Sequence, residues 1–156
     1  MLRITRHTDY GIILMARLAD EPFVVRTATD LAEATGLPLP MVSKVLKHLA
    51  RRGLVVSHRG ASGGYGLARR PEAISVAELI AALEGPIAIT DCIAHGPGDC
   101  GQWSHCPTQG HWQWINAAIQ RALSGVTLAQ MRQAPADGRG QPAATLIPLE
   151  SIGISP

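Results

Sequence analysis

GLPLPMVSKVLKHLARRGLV, residues 36–55, is the stretch of the chain that decides the fold. Gly36 suits the end of one helix, and Pro40 suits the first turn of the next, where its missing N–H is harmless. Residues 41–52 repeat apolar side chains at helical spacing, and the opposite face is polar and basic. The apolar face holds Val42, Val45, Leu46 and Leu49, and the other face holds Ser43, Lys44, Lys47, His48 and Arg51. The stretch therefore predicts an amphipathic helix with a basic outer face.

The flanking segments predict a second helix before this one and a hairpin after it. TATDLAEATG (27–36) has a capping residue, Thr27, an acid three places on, and a terminal glycine. An earlier apolar run, residues 8–18, predicts another helix. Residues 54–59 and 65–68 are β-like and enclose the glycine-rich GASGG (60–64). The order is that of a winged helix-turn-helix, so we expect a mainly α fold with a small β-hairpin wing.

A winged helix-turn-helix headpiece of this kind is typical of DNA-binding proteins. Pro40, Ser43, Lys44, Lys47, His48 and Arg51 would lie along the major groove, and Arg59 at the base of the wing would reach the minor groove. Residues 1–70 hold eleven Lys and Arg against five Asp and Glu, or +6, whereas residues 71–156 hold three against seven, or −4. A basic first half favours a polyanionic partner. The alternative is a protein-binding helix pair with a solvated basic face.

The second half predicts two further helices and a tail. Ser75 and Glu78 have capping-box spacing ahead of a helix over 76–84. Residues 108–123 carry an apolar stripe for which a second copy of the chain is a natural cover; folding back on its own domain is the alternative. Thr127 would cap a short last helix. We divide the chain into a headpiece (1–85), a cysteine-rich loop (86–107), a dimerisation region (108–133) and a flexible tail (134–156).

All three cysteines fall in CIAHGPGDCGQWSHC, residues 92–106. No secretory signal or membrane span is visible, so we expect a cytoplasmic protein, in which grouped cysteines more often bind metal or do redox chemistry than form disulfides. The spacing C-x7-C-x5-C lacks the short knuckles of structural zinc sites. Iron–sulfur, zinc, a catalytic cysteine beside His105 and plain reduced thiols all stay open on residues alone.

Several segments in order resemble one family. They are RHTDYG (6–11), residues 36–55, HRGASGGYGLAR (58–69), ISVAELIAALEGPI (74–87) and the cysteine loop. Over residues 1–133 the chain resembles the Rrf2 family of winged-helix transcriptional regulators. EGPIAITDC (84–92) and GVTLAQM (125–131) are most similar to the branch that regulates the SUF iron–sulfur assembly system. The resemblance implies a homodimer on double-stranded operator DNA, with a 2Fe–2S or 4Fe–4S cluster held by Cys92, Cys100 and Cys106.

The resemblance leaves the remaining cluster ligand open. IscR-like members have a histidine three places after the last cysteine, where this chain has Gln109. NsrR-like members use an aspartate from the partner subunit, which matches Asp9, and His111 is the alternative ligand. IscR-like members also carry an acid at the position of Ser43, so their two-operator switch is not expected here.

The implied function is repression of iron–sulfur assembly genes under the control of the cluster. The alternative is a winged-helix regulator that responds to direct oxidation of its cysteines or to another signal, such as nitric oxide, and has no role in cluster assembly. We expect no enzyme activity and no small-molecule substrate, since GASGG lies in a hairpin and does not open a helix as a phosphate-binding loop would.

Overall fold

The structure, a computed structural model, describes residues 4–60, 63–96 and 105–133, without the side chain of His95. Within these ranges the chain is mainly helical with one hairpin, as the sequence predicts. The elements are α1 (Arg6–Asp20), α2 (Ala28–Thr35), α3 (Leu39–Arg51), β1 (Val55–His58), β2 (Gly64–Leu67), a 3₁₀ turn (Pro71–Ala73), α4 (Val76–Glu84), α5 (Asp91–His95), α6 (Gln109–Ser124) and α7 (Leu128–Gln133). None of the described helices is long and apolar enough to cross a membrane.

The predicted helix pair forms with the expected caps. The Asp30 N–H donates to the Thr27 hydroxyl at 3.1 Å, and the Thr27 N–H donates to the Asp30 carboxylate at 3.0 Å. Gly36 ends α2 in the left-handed region, with φ of 68°. A proline stands in the first turn of α3, and Gly53, at φ of 73°, follows its end. Local sequence chemistry thus sets both helix boundaries and the turn between them.

One hydrophobic core joins the first four helices, the hairpin and the last helix. The apolar face of α3 faces inward completely, because all four of its predicted residues are 0% exposed. The other fully buried large side chains come from α1, α2, α4 and α7 and from the segments that join them. They are Leu14, Met15, Leu18, Leu31, Leu54, Ile74, Leu79 and Leu128. Burial of this face leaves the polar face of α3 outside.

The hairpin is attached to the helices by an additional strand-like contact. β1 and β2 pair antiparallel, with Val55 opposite Leu67 and His58 opposite Gly64. Arg26, just before α2, exchanges two backbone hydrogen bonds with Tyr65, at 3.0 and 2.8 Å. The sequence did not predict this contact, which ties the base of the wing to the helix-turn-helix.

The final helix packs on the headpiece of its own chain. Val76 N–H donates to Val126 O at 2.9 Å, and Leu128 N–H donates to Ile74 O at 2.8 Å, so the start of α4 and the start of α7 pair like strands. Thr127 caps α7, as predicted, by accepting from the Gln130 N–H at 3.2 Å. α7 then lies against α1 and the 3₁₀ turn. The chain therefore returns to the headpiece after α6.

A short helix, α5, forms where the sequence predicted only a loop. It runs over five residues from Asp91 to His95 and carries Cys92. A single turn shows no apolar repeat, so periodicity could not reveal it. The predicted tail (134–156) and the middle of the cysteine loop lie outside the described residues.

Candidate nucleic-acid interface and metal centre

The outer face of α3 presents the predicted DNA-contacting side chains to solvent. Lys44, Lys47 and Arg51 are exposed, as is Pro40 at the start of the helix, while Ser43 and His48 are half-buried. In a helix-turn-helix the second helix enters the major groove, and exposed Lys and Arg reach phosphates or guanine edges. Arg59, directly after β1, is exposed as well. The α3 side chains make a basic surface on the outer face of that helix, and the contact of this surface and of Arg59 with DNA stays a prediction.

His7 of α1 adjoins this surface, which the sequence did not predict. Its Nε2 atom lies 3.3 Å from Nδ1 of His48, and the two rings are 5.5 Å apart between centroids. Burial lowers the pKa of His7, and the neighbouring His48 and Lys44 lower it further against the opposing effect of Glu84. The contact joins residues 41 positions apart, so only the packing of α1 on α3 brings them together.

The first turn of α1 is anchored to the end of α4. The Thr5 N–H donates to the Glu84 carboxylate at 2.8 Å, and the Thr5 hydroxyl accepts from the Thr8 N–H at 3.3 Å. Burial alone would raise the pKa of Glu84, but hydrogen bonds from Thr5 and Thr8 outweigh it, so that the pKa is lowered. Asp9 follows in the same turn with an exposed side chain. Its carboxylate is therefore held on a rigid element and open to an approaching group.

The two described cysteines are free thiols beside threonine hydroxyls. Sγ of Cys92 lies 3.2 Å from Oγ1 of Thr90, and Sγ of Cys106 lies 3.4 Å from Oγ1 of Thr108. The hydrogen bond from the Thr108 side chain, with further help from the backbone N–H groups of Thr108 and Gln109, lowers the pKa of Cys106. A stabilised thiolate is the form that binds soft metals and iron–sulfur clusters.

The described residues form only part of the predicted metal site. Cys100 lies outside them, and no three His, Cys, Asp or Glu side chains among the described residues are grouped to hold a metal ion. His111 is exposed near the start of α6, and Asp9 is on α1. The structure thus shows two thiols of suitable chemistry and leaves the full ligand set as a prediction.

A family model, a relative in sequence and a solved structure that are similar to this chain are all transcriptional regulators. Residues 4–134 match the family model named Rrf2 and described as an iron-dependent transcriptional regulator. The regulator IscR of Vibrio cholerae is 33% identical over 132 residues, which cover 83% of this chain and 75% of that protein. The solved structure of IscR from T. potens is 29% identical, with a TM-score of 0.64, and the match covers 90% of this chain and 94% of the other.

A second solved structure is similar in fold but bears another name. CymR (YrzC), the global cysteine regulator of B. subtilis, is 27% identical, with a TM-score of 0.68, over 86% of this chain and 99% of the other. The matched range of the family model runs through the helix-turn-helix, the hairpin and the segment that holds all three cysteines.

Proposed function

Because the chain belongs to the Rrf2 family of DNA-binding transcriptional regulators, which are not enzymes, we propose that it is a dimeric repressor of iron–sulfur assembly genes. A bound iron–sulfur cluster would set its affinity for operator DNA. The observation that carries the proposal is a pair of free thiols, one with a lowered pKa, in a chain whose α3 offers a basic face to solvent. With DNA as its partner, the protein would act in the cytoplasm.

The DNA-binding part rests on the orientation of α3. Its apolar residues are fully buried, so Lys44, Lys47 and Arg51 project from the opposite side. α3 would enter the major groove, with Ser43 and His48 toward the bases, and Arg59 of the wing would enter the adjacent minor groove. Each Lys or Arg that neutralises a phosphate releases counterions, so binding should weaken steeply with salt.

The cluster-binding part rests on the chemistry of the donor set. Cys92, Cys100 and Cys106 would supply thiolates, and Asp9 of the partner subunit would complete the set, with His111 as the alternative. When bound, a 2Fe–2S or 4Fe–4S cluster would supply a redox-sensitive link between the cysteine segment and the ligand outside it. Cys106 suits this role because its thiolate is stabilised where it stands. Asp9 suits it because its helix is anchored and its carboxylate is exposed.

The dimer part rests on α6. Trp114 is 47% exposed on the other side of α6, while Trp112, on the face of the predicted apolar stripe, is 40% exposed. A second copy would cover this face and bring two α3 helices to one duplex. If the cluster spans the two subunits, cluster and operator must affect each other's binding reciprocally.

A second function is favoured by one observation. A thiol with a lowered pKa, such as Cys106, reacts readily with oxidants, so the chain could sense thiol oxidation without any cofactor. In that case DNA affinity would change with peroxide in metal-free protein.

Anaerobic purification followed by visible absorption and iron and sulfide counts separates the two functions. We expect a coloured protein whose colour is lost in Cys92→Ala and Cys106→Ala, and whose operator binding in a gel shift changes when the cluster is removed. Asp9→Ala should shorten cluster retention with the dimer intact, whereas His111→Ala should not. A colourless, iron-free protein with full operator affinity would refute the cluster proposal.

A further inference from the structure

Asn116 is the one polar side chain of α6 that its own chain buries, at 5% exposure. Its amide makes two hydrogen bonds to the segment before α5: Nδ2 donates to Ile87 O at 3.0 Å, and Oδ1 accepts from the Ile89 N–H at 3.2 Å. The Gln120 side chain, one turn further on, also donates to Ile87 O at 3.2 Å. α6 is therefore fastened to residues 87–89 by three hydrogen bonds.

This contact copies the pairing of a β-strand. An amide side chain that donates to residue i and accepts from residue i+2 satisfies both backbone groups, as a neighbouring strand would. The position along α6 is fixed, because a shift of one residue moves the helix by about 1.5 Å and breaks both bonds. Loss of the amide would leave the Ile89 N–H without its partner, whereas Ile87 O would keep the hydrogen bond from Gln120.

The two ends of this contact flank the two described cysteines along the chain. Cys92 follows Ile89 by three residues, a span of at most about 10 Å, and Cys106 precedes the first residue of α6 by three. Asn116 thus joins the segment that leads into Cys92 to the helix that follows Cys106. We propose that Asn116 is a positioning residue, which sets the separation of the Cys92 and Cys106 thiols for the cluster. The proposal rests on the proposed function only in the identity of what the thiols bind.

Asn116→Leu tests this role because leucine has a similar size and cannot make either bond. In the anaerobically loaded full-length protein we expect cluster loss to chelator to become about tenfold faster, by analogy with the roughly 10–100-fold loss of metal affinity that follows removal of a group that orients a metal ligand. The visible circular dichroism of the cluster should also change, since it reports ligand geometry. Gln120→Ala is the matched control: it removes an exposed donor to the same carbonyl, which Asn116 still satisfies, and both readouts should stay close to those of the parent.

A cofactor-free measurement addresses thiol separation directly. In metal-free Cys100→Ser protein, a short bismaleimide should bridge Cys92 and Cys106 within one chain. Asn116→Leu should lower the bridged fraction about threefold, because the effective concentration of one thiol at the other falls. Single labelling of each thiol by N-ethylmaleimide should stay unchanged. If Asn116→Leu does not fold, Ile89→Pro removes the N–H at the other end of the contact, and the same reduction is expected.

The outcomes separate the two proposals. A coloured parent whose Asn116→Leu variant keeps its cluster, its dichroism and its thiol bridging would overturn the role of Asn116 alone. A colourless parent in which bridging still depends on Asn116 would overturn the cluster and leave the positioning role. Leu49→Ala, in the headpiece core, controls for stability: if it speeds cluster loss as much as Asn116→Leu and also lowers bridging, the role of Asn116 is merely structural and the proposal fails.

Discussion

Gly64→Ala should detach the wing from the helix-turn-helix. A Cβ atom at residue 64 would stand 2.5 Å from the carbonyl oxygen and 2.7 Å from the carbonyl carbon of Arg26. Real Cβ atoms do not approach backbone atoms so closely, and Arg26 cannot move aside as the end of a flexible side chain could. The added methyl group must therefore separate Arg26 from Tyr65 and break the two backbone hydrogen bonds between them.

The cost can be estimated from those two bonds. A net contribution of about 0.5–1.5 kcal/mol for each gives a loss of about 1–3 kcal/mol in the free energy of unfolding. The lower chain entropy of unfolded alanine would offset about 0.4–1 kcal/mol of this. The net loss is then at most about 2.6 kcal/mol, and with a urea m-value of about 2 kcal/mol/M the midpoint should fall by up to about 1.3 M at fixed protein concentration. Operator affinity should fall as well, since Arg59 is carried by the same hairpin.

Gly66→Ala is the matched control, two residues along the same strand. Its Cβ would meet only the Val25 side chain, at the ordinary distance of 3.9 Å, and the backbone φ is not positive at either glycine. Urea unfolding, together with hydrogen exchange of the Tyr65 amide, checks both variants. Equal midpoints for Gly64→Ala and Gly66→Ala, with Tyr65 still protected, would refute the close approach of Arg26.

Three further changes test other parts of the structure. Leu46→Ala, at a fully buried position of α3, should lower the free energy of unfolding in urea by about 2–5 kcal/mol. Leu39→Ala, at a position that is 42% exposed, should lower it far less. Similar losses in the two variants would contradict the burial of the apolar face of α3. Lys47→Ala should reduce the slope of log affinity against log salt by about 2 in a dimer with one phosphate contact per subunit, and an unchanged slope in filter-binding titrations would place Lys47 away from the backbone. The hydrogen bond from the Thr27 N–H lowers the pKa of Asp30 below its ordinary 3.8, so the ionised carboxylate stabilises the fold above that pH, and this contribution is lost as the pH falls through the lower, folded-state pKa. Asp30→Asn should therefore flatten this part of the curve of unfolding free energy against pH. Identical curves for the parent and the variant at acid pH would count against the capping box.

Features that depend on neighbours in the chain were predictable from the sequence. Thr27, Asp30 and Gly36 set the ends of α2 through contacts within four residues, and the repeat in residues 41–52 predicted which face of α3 is buried. The winged-helix fold and the family were confirmed on this basis. Helix ends shifted by one or two residues, as in α1, where the predicted 8–18 became 6–20.

Contacts between distant parts of the chain were not predictable. Arg26 pairs with Tyr65, and His7 meets His48, only because whole elements pack at particular angles. Asn116 broke the apolar stripe of α6 and gave no signal of burial, since its partners lie 27 and 29 residues earlier. A polar side chain is buried where the fold supplies hydrogen-bond partners for it. A single sequence does not show which backbone groups these partners will be.

α6 buries Asn116 against its own chain but leaves Trp112 and Trp114 exposed, and in a dimer this arrangement would affect the distance between the two headpieces. A helix of 16 residues is marginal alone, and an indole left 40% exposed keeps about 100 Å² of surface, worth roughly 2.5 kcal/mol if covered. A single partner helix would cover only one of the two indoles, because residues at i and i+2 lie on opposite sides of a helix, and Trp112 is the one on the apolar stripe. The helix is also fastened to its own chain, because Asn116 holds it to residues 87–89 and the Ser75–Thr127 pair holds the segment that follows it to the headpiece. With those attachments in place, the angle between paired α6 helices would determine the distance between the two α3 helices, which must match one turn of DNA, about 34–36 Å.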